Sequence, residues 1–242
     1  MKGVVLAGGL GKRLRPLTTI TNKHLLPVYD QPMIYYPLQK LAEAGIKDVM
    51  LVTGGYSAGD FLRLLGDGSK FGFSTLNYAY QEGEGGIAEA IGLTRTFVDD
   101  EKFVVILGDN LFEDSLTPYI DLFMRQEKGA RILLKEVDNP ADYGVAELEG
   151  NAVVSIVEKP KQPKSRLAVI GVYMYDGYAF EVIEQLKPSE RGELEVTDLN
   201  NAYLSRGLLQ ADVIHGWWAD SGSSIDGLLQ ANIRVAELRN NG

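Results

Sequence analysis

Lys2-Gly3-Val4-Val5-Leu6-Ala7-Gly8-Gly9-Leu10-Gly11-Lys12-Arg13-Leu14-Arg15-Pro16, with Asn22-Lys23-His24-Leu25-Leu26-Pro27 close behind, sets the architecture of this chain. An apolar run of strand length breaks into three glycines. Without a Cβ at those positions, backbone N–H groups can converge on an anion. Lys12, Arg13, Arg15 and Lys23 stand in or just beyond the loop. Backbone donors beside several cations suit a triphosphate. A turn that merely closed a strand–helix corner would not need those charges.

Two common phosphate loops do not fit. A Walker A loop requires Ser or Thr after Gly-Lys, and Arg13 follows Gly11-Lys12. A dinucleotide fingerprint begins at Gly9-Leu10-Gly11, but Leu14 takes the third glycine's place.

Outward from this stretch, strand-length apolar runs alternate with helical patterns. Helices are expected over 32–44, 57–65 (capped by Ser57), 87–98 and 116–127, and strands over 49–53, 74–80 and 103–107. Phe103 to Leu107 is apolar throughout, as a strand buried on both faces would be. The second half is richer in strands, at 132–137, 144–148, 153–158, 169–175 and 208–214. A turn at Glu149-Gly150-Asn151 makes a hairpin of the 144–148 and 153–158 pair. Helices close the pattern at 179–186, 196–205 and 224–239. The expected fold is α/β: a Rossmann-like, mixed, mostly parallel central sheet flanked by helices, with a small strand-rich lobe. The 242 residues read as one domain, with one part about 1–130 and a second, strand-richer part about 131–242.

Composition narrows the function. A net charge of −9 argues against nucleic acid as partner, although local basic loops can still hold a mononucleotide. No apolar run approaches the ~20 residues that span a bilayer, so no membrane partner is expected. There is no cysteine, hence no disulfide, thiolate metal site or cysteine nucleophile, in keeping with a cytoplasmic protein. Two histidines, His24 and His215, are too few for a zinc site and read as packed or surface residues.

Candidate chemistry lies at strand ends. Asp109, in Gly108-Asp109-Asn110, follows the buried strand, where ligands of open α/β sheets bind. Asp220, in Trp217-Trp218-Ala219-Asp220-Ser221-Gly222, stands before a helix capped by Ser223 or Ser224. Either aspartate could be a turn or capping residue, or a ligand of Mg²⁺, which takes one or two carboxylates plus phosphate oxygens. Gln81 offers donor and acceptor to a pyrimidine edge, and Gly86 allows close backbone approach. Glu158 can accept from sugar hydroxyls, while Lys159 and Arg191 can hold a phosphate or can be plain surface charges.

L-A-G-G-x-G-x-R-L-x-P over Leu6 to Pro16, then N-K-x-L-L-P over Asn22 to Pro27, resembles the opening signature of the sugar-nucleotide pyrophosphorylases. Within these nucleotidyltransferases the sequence looks most like the short-form glucose-1-phosphate thymidylyltransferases. G-D-N, W-x-D-[ST]-G, E-K-P and E-R-G-E-L-E-[IV]-T-D extend the likeness nearly end to end. Lys12 departs from it, standing where the family carries Thr or Ser.

The resemblance implies dTTP and glucose 1-phosphate as substrates, dTDP-glucose (a precursor of dTDP-rhamnose) and pyrophosphate as products, Mg²⁺ as cofactor, and a homo-oligomer. It implies that Arg13 and Lys23 are catalytic, that Leu6, Gly8, Gly9, Gly11, Lys12, Gln81, Gly86 and Asp109 bind nucleotide, and that Asp109 and Asp220 hold the metal. Asn110, Gly144, Glu158, Lys159, Val169, Tyr173 and Arg191 then bind the sugar phosphate. Uridylyl transfer on the same scaffold is the alternative. A non-catalytic nucleotide-sugar sensor would lack some of Arg13, Lys23, Asp109 and Asp220, and all four are present.

Overall fold

The computed structural model describes residues 1–241. Its strands are β1 (Lys2–Ala7), β2 (Pro27–Val28), β3 (Gln31–Pro32), β4 (Asp48–Gly54), β5 (Thr75–Gln81), β6 (Phe103–Leu107), β7 (Asn110–Phe112), β8 (Ala130–Glu136), β9 (Gly144–Glu149), β10 (Ala152–Glu158), β11 (Leu167–Tyr175), β12 (Leu209–Val213) and β13 (Trp218–Asp220). Its helices are α1 (Tyr35–Glu43), α2 (Ala58–Leu65), α3 (Ile87–Gly92), α4 (Arg95–Val98), α5 (Thr117–Arg125), α6 (Tyr178–Ile183), α7 (Val196–Leu204) and α8 (Ile225–Asn241).

One nine-stranded sheet runs β10-β9-β11-β6-β1-β4-β5, with β8 paired to β11 and β12. The block β6-β1-β4-β5 is parallel. Strand β11 reverses direction against β6, β8 and β9, which makes the sheet mixed. The strand-rich second half therefore extends the same sheet. The hairpin at Gly150 forms as expected, with β9 antiparallel to β10.

The sheet is covered on both sides. Val4 and Leu6 join Phe103, Val105, Tyr173 and Tyr175 in one core, under α3, α6 and α7. Val5 and Ala7 join Val49, Leu51, Val104 and Ile106 in the opposite core, under α1, α2 and α5. This is the two-residue alternation of a strand with apolar positions of both parities filled, because neither face meets water. Each fully buried aliphatic side chain contributes roughly 1.5–3 kcal/mol. A third core packs α8 residues Leu228, Ala231 and Val235 on Leu14, Val28 and Met33, tying the last helix to the first loop.

Strand order dictates where a ligand can enter. From β1 the chain crosses to β4 and β5 on one side, then returns to β6 on the other. The loops after β1 and β6 thus diverge, leaving a crevice at the carboxyl ends of these strands.

Three local expectations change. The helix expected over 87–98 divides into α3 and α4, with Thr94 buried at the break and its hydroxyl donating to the Ile91 carbonyl at 2.7 Å. Ser57 does not cap α2 with its side chain, because a 3-10 turn over Gly55–Ser57 leads into the helix. Strands β7 and β13 were not foreseen; they pair with each other as a separate ribbon.

Candidate active site

The crevice holds a cavity of about 320 Å³. Its wall includes Leu6, Gly8, Gly9, Arg13, Lys23, Gln81, Gly86, Asp109, Asn110, Gly144, Glu158, Lys159, Val169, Tyr173 and Asp220. Residues spread over more than 200 positions of sequence thus meet as expected. Three expected site residues lie off this wall: Gly11, Lys12 and Arg191. A larger cavity of about 800 Å³, between α1 and α8, is walled by Tyr35, Tyr36, Phe71 and Phe112 and shares only Asn110 with the first. It gathers none of the residues of the glycine loop after β1.

The first loop is held from below. Gly11 is in the left-handed region (φ 62°), and its carbonyl accepts from the Thr18 hydroxyl at 2.7 Å. Asn22 donates from Nδ2 to the Ala7 carbonyl at 3.1 Å, and its Oδ1 accepts from the His24 N–H and from His24 Nδ1. His24 is buried, and burial first, then the Lys23 charge, lowers its pKa to about 3. It is a neutral, positioned imidazole, in agreement with the packed reading; His215 is exposed. Lys12 reaches over to pair with Glu84 at the exposed rim.

At the centre, Lys23 forms an ion pair with Asp109; their side chains are 13% and 9% exposed. Burial alone would raise the Asp109 carboxyl, but the adjacent Lys23 ammonium holds it below the usual carboxylate range. The β7–β13 ribbon brings Asp220 opposite Asn110, and the Ser221 N–H and hydroxyl both donate to the Asp109 carbonyl, at 3.0 and 2.8 Å. Burial, then the Asp109 charge, pushes the Asp220 carboxyl upward, against the pull of Lys23 and Arg13. Gly222 makes the space: a Cβ there would lie 2.3 Å from Asp109 Oδ2 and 2.8 Å from Lys23 Nζ.

Asp220 does not cap α8; Ser224 does, its hydroxyl accepting from the Gly227 N–H at 2.9 Å. Asp220 Oδ1 does take a turn contact, accepting from the Gly222 N–H at 3.2 Å, and Asp109 is paired with Lys23. Both carboxylates line the cavity and have lone pairs beyond these contacts. Among the described residues no cluster of three or more His, Cys, Asp or Glu side chains could hold a metal. Two hard carboxylates fit Mg²⁺ if phosphates and water complete its shell.

One end of the cavity presents Gln81, whose Nε2 donates to the Gly86 carbonyl at 3.0 Å and to Glu89 at 2.6 Å. At the other end Glu158, the last residue of β10, accepts from the Thr197 hydroxyl at 2.5 Å. Its neighbour Lys159 adopts a positive φ of 41°, a strained conformation often met where a side chain must be aimed. Tyr173 is buried, and burial together with Glu158, Asp109 and Asp220 pushes its phenol well above the ordinary value. Arg191 is tied to Glu195 by a bidentate pair at 2.9 and 2.7 Å, with Glu193 and Glu158 farther off at 3.4 and 3.6 Å. The Leu194 N–H donates to the Gly85 carbonyl at 2.8 Å, and the Ala88 N–H to the Leu194 carbonyl at 3.1 Å. These two bonds join the Gln81 end to the Glu158 end.

Sequence reasoning missed Thr197, which lies inside the quoted E-L-E-V-T-D motif and buttresses Glu158. It also missed Trp218, whose indole N–H donates to Asn110 Oδ1 at 2.7 Å and whose ring meets Tyr143 edge-on at 5.4 Å. The adjacent W-x-D motif was the available signal.

Comparison with known proteins agrees with this fold. The nucleotidyl transferase family model matches residues 2–237. A glucose-1-phosphate thymidylyltransferase of Neisseria meningitidis is 46% identical over 227 residues, covering 92% of this chain and 78% of the relative. A solved structure from Bacillus anthracis, assigned as a glucose-1-phosphate thymidylyltransferase and crystallised with a sucrose, superposes with a TM-score of 0.92. It is 49% identical, over 96% of this chain and 94% of that one. A UDP-glucose pyrophosphorylase complexed with UDP-glucose superposes at a TM-score of 0.85 with 26% identity, over 98% of both chains. The match across almost the whole chain, together with the shared fold, makes this protein a member of the nucleotidyl transferase family.

Proposed function

We propose that this enzyme transfers a thymidylyl group from dTTP to α-D-glucose 1-phosphate, giving dTDP-glucose and pyrophosphate. The observation that carries the reading is the meeting of Arg13, Lys23, Asp109 and Asp220 beside a glycine loop, with Gln81 at one end of the cavity and Glu158 at the other. Relatives bearing the thymidylyltransferase name at 42–46% identity support it.

An oxygen of the sugar 1-phosphate attacks the α-phosphorus as the bond to the β-phosphate breaks, and pyrophosphate departs in line. The attacking oxygen is already anionic, so no general base is needed; His24, neutral and tied to Asn22, is not positioned as one. The chain contributes placement and charge. Backbone N–H groups of the Gly8–Arg13 loop cradle the triphosphate, and Arg13 faces the departing charge. Lys23 leans between the two substrates' phosphates. Asp109 and Asp220 would hold Mg²⁺, which supplies further neutralisation of phosphate charge when bound. Glu158, held by Thr197, accepts from sugar hydroxyls; Gly144, Val169 and Tyr173 wall the sugar; Asn110 and Lys159 complete the phosphate end. Arg191 joins them on exchanging a glutamate for a phosphate.

No helix of the described residues is long and apolar enough to cross a membrane. A cytoplasmic location, a homo-oligomeric state, absence of nucleic-acid binding and a nucleotide half (about 1–130) set against a sugar-phosphate half belong to the same proposal. Fractionation and light scattering check the first two.

The test crosses dTTP, UTP, dCTP, ATP and GTP with glucose, galactose, mannose and N-acetylglucosamine 1-phosphates, with Mg²⁺ and with EDTA. The highest kcat/KM should fall on dTTP with glucose 1-phosphate and vanish with EDTA. Thymine and uracil differ by a methyl group, worth only ~1–3 kcal/mol of discrimination, and the UDP-glucose pyrophosphorylase shares this fold. A clear preference for UTP would reassign the nucleotide and keep the mechanism.

A further inference from the structure

Gln81 can read a pyrimidine only if its amide faces the right way, and the two ends of that amide have opposite chemistry. The surroundings decide which way. On one side lie the Gly86 carbonyl, 3.0 Å away, and the Glu89 carboxylate, 2.6 Å away. Both are acceptors only, so the NH₂ group must turn toward them. A flipped amide would set its carbonyl oxygen against two other oxygens at these distances. Oε1 therefore turns the other way, over Gly8, where a Cβ would meet it at 2.8 Å. Among the described residues no donor reaches it. Glu89 in turn is seated by Gly85: a Cβ there would lie 2.0 to 2.4 Å from the carboxylate atoms.

We propose that Glu89, a positioning residue on α3, locks the Gln81 amide with its oxygen toward the base and thereby restricts the enzyme to pyrimidines with a proton on N3. Thymine and uracil present N3–H to an acceptor. Cytosine presents a bare N3, which would need the NH₂ that Glu89 holds away. The inference rests on the proposed function in that it takes Gln81 as the base reader. It adds the residue that decides which bases pass.

The test measures binding of dTTP and dCTP by calorimetry, which requires no turnover, in wild type and in Glu89→Ala, Glu89→Gln and Gly85→Ala. Dissolution of the lock should weaken dTTP and relieve dCTP, narrowing the dTTP:dCTP affinity ratio about tenfold or more in Glu89→Ala, the scale of one hydrogen bond to a charged group. Glu89→Gln keeps an acceptor oxygen for the Gln81 NH₂ and should restore most of the ratio, which a general loosening of α3 would not allow. Gly85→Ala should reproduce the Glu89→Ala ratio by displacing the carboxylate while leaving Glu89 in the sequence. The inference is overturned if Glu89→Ala keeps the wild-type ratio, or if wild type does not distinguish dTTP from dCTP. Turnover of dTTP with glucose 1-phosphate is scored separately on wild type, so failure of the reaction and failure of the lock give different results.

Discussion

Replacing Gly222 by Ala should disable the enzyme while leaving it folded. Gly222 does not have a positive φ, so alanine meets no backbone penalty there. The new Cβ would sit 2.3 Å from Asp109 Oδ2 and 2.8 Å from Lys23 Nζ. A carbon and an oxygen rest at roughly 3.3 Å or more, so the Asp109 carboxylate must retreat by about 1 Å. Lys23, bound to that carboxylate, moves with it. A displacement of ~1 Å in positioning groups can cost about 100-fold, or ~2.7 kcal/mol of barrier. Overpacking of this kind costs roughly 1–3 kcal/mol of stability, a drop of about 2–12 °C for a chain this size. The assay is kcat for pyrophosphate release at saturating substrates, beside a thermal melt. Gly59→Ala, with nothing within 4 Å of the new methyl group, serves as the control and should keep activity, with Tm unchanged or slightly raised because Gly59 lies in α2. Wild-type kcat in Gly222→Ala would refute the placement of Lys23 and Asp109 at the reacting phosphates, as would activity lost only in proportion to unfolding.

Lys23→Ala should cut kcat by about 100-fold or more and, by leaving Asp109 buried without its partner, cost roughly 3–5 kcal/mol in urea melts; normal turnover in the folded variant would remove Lys23 from the mechanism. His24 has a pKa of about 3 in the fold against 6.5 unfolded, so between these values the unfolded chain binds more protons and stability declines as pH falls. The slope approaches about 1.4 kcal/mol per pH unit, and His24→Gln should flatten it between pH 6 and 4; parallel curves would count against a buried neutral His24. Thr197→Val removes the hydroxyl that donates to Glu158 and should raise KM for glucose 1-phosphate about tenfold, the worth of one charged hydrogen bond, with kcat nearly kept; an unchanged KM would separate Thr197 from the sugar.

The sheet and the glycine-rich loop after β1 were legible because their signals are local. A continuous apolar run identifies a strand covered on both faces, as β1 and β6 are. Glycines beside cations mark the loop that comes to line the crevice. The β7–β13 ribbon was not legible, since strands of three residues separated by more than 100 positions carry no periodicity. Yet that ribbon is what brings Asp220 beside Asp109. The break between α3 and α4 was hidden because the apolar spacing continues across Thr94, whose hydroxyl bond to Ile91 no pattern announces. Arg191 reads as a free phosphate hook in sequence, but three nearby glutamates, Glu193 and Glu195 beside it in sequence and Glu158 across the site, compete for it.

The backbone bonds that join Gly85 and Ala88 to Leu194 have a thermodynamic consequence. On the proposed assignment, they tie the nucleotide end and the sugar end into a single ordering unit. Stiffening the Gln81–Gly86 segment around a base also stiffens the segment that leads to Arg191, Glu195 and Thr197. Part of the entropy lost on binding the second substrate is then already lost with the first. Linkage makes the effect reciprocal: the factor by which dTTP tightens glucose 1-phosphate must equal the factor by which the sugar phosphate tightens dTTP. Titrations run in both orders with a non-hydrolysable dTTP analogue would return one coupling energy, belonging to neither subsite but to the strip of chain between them.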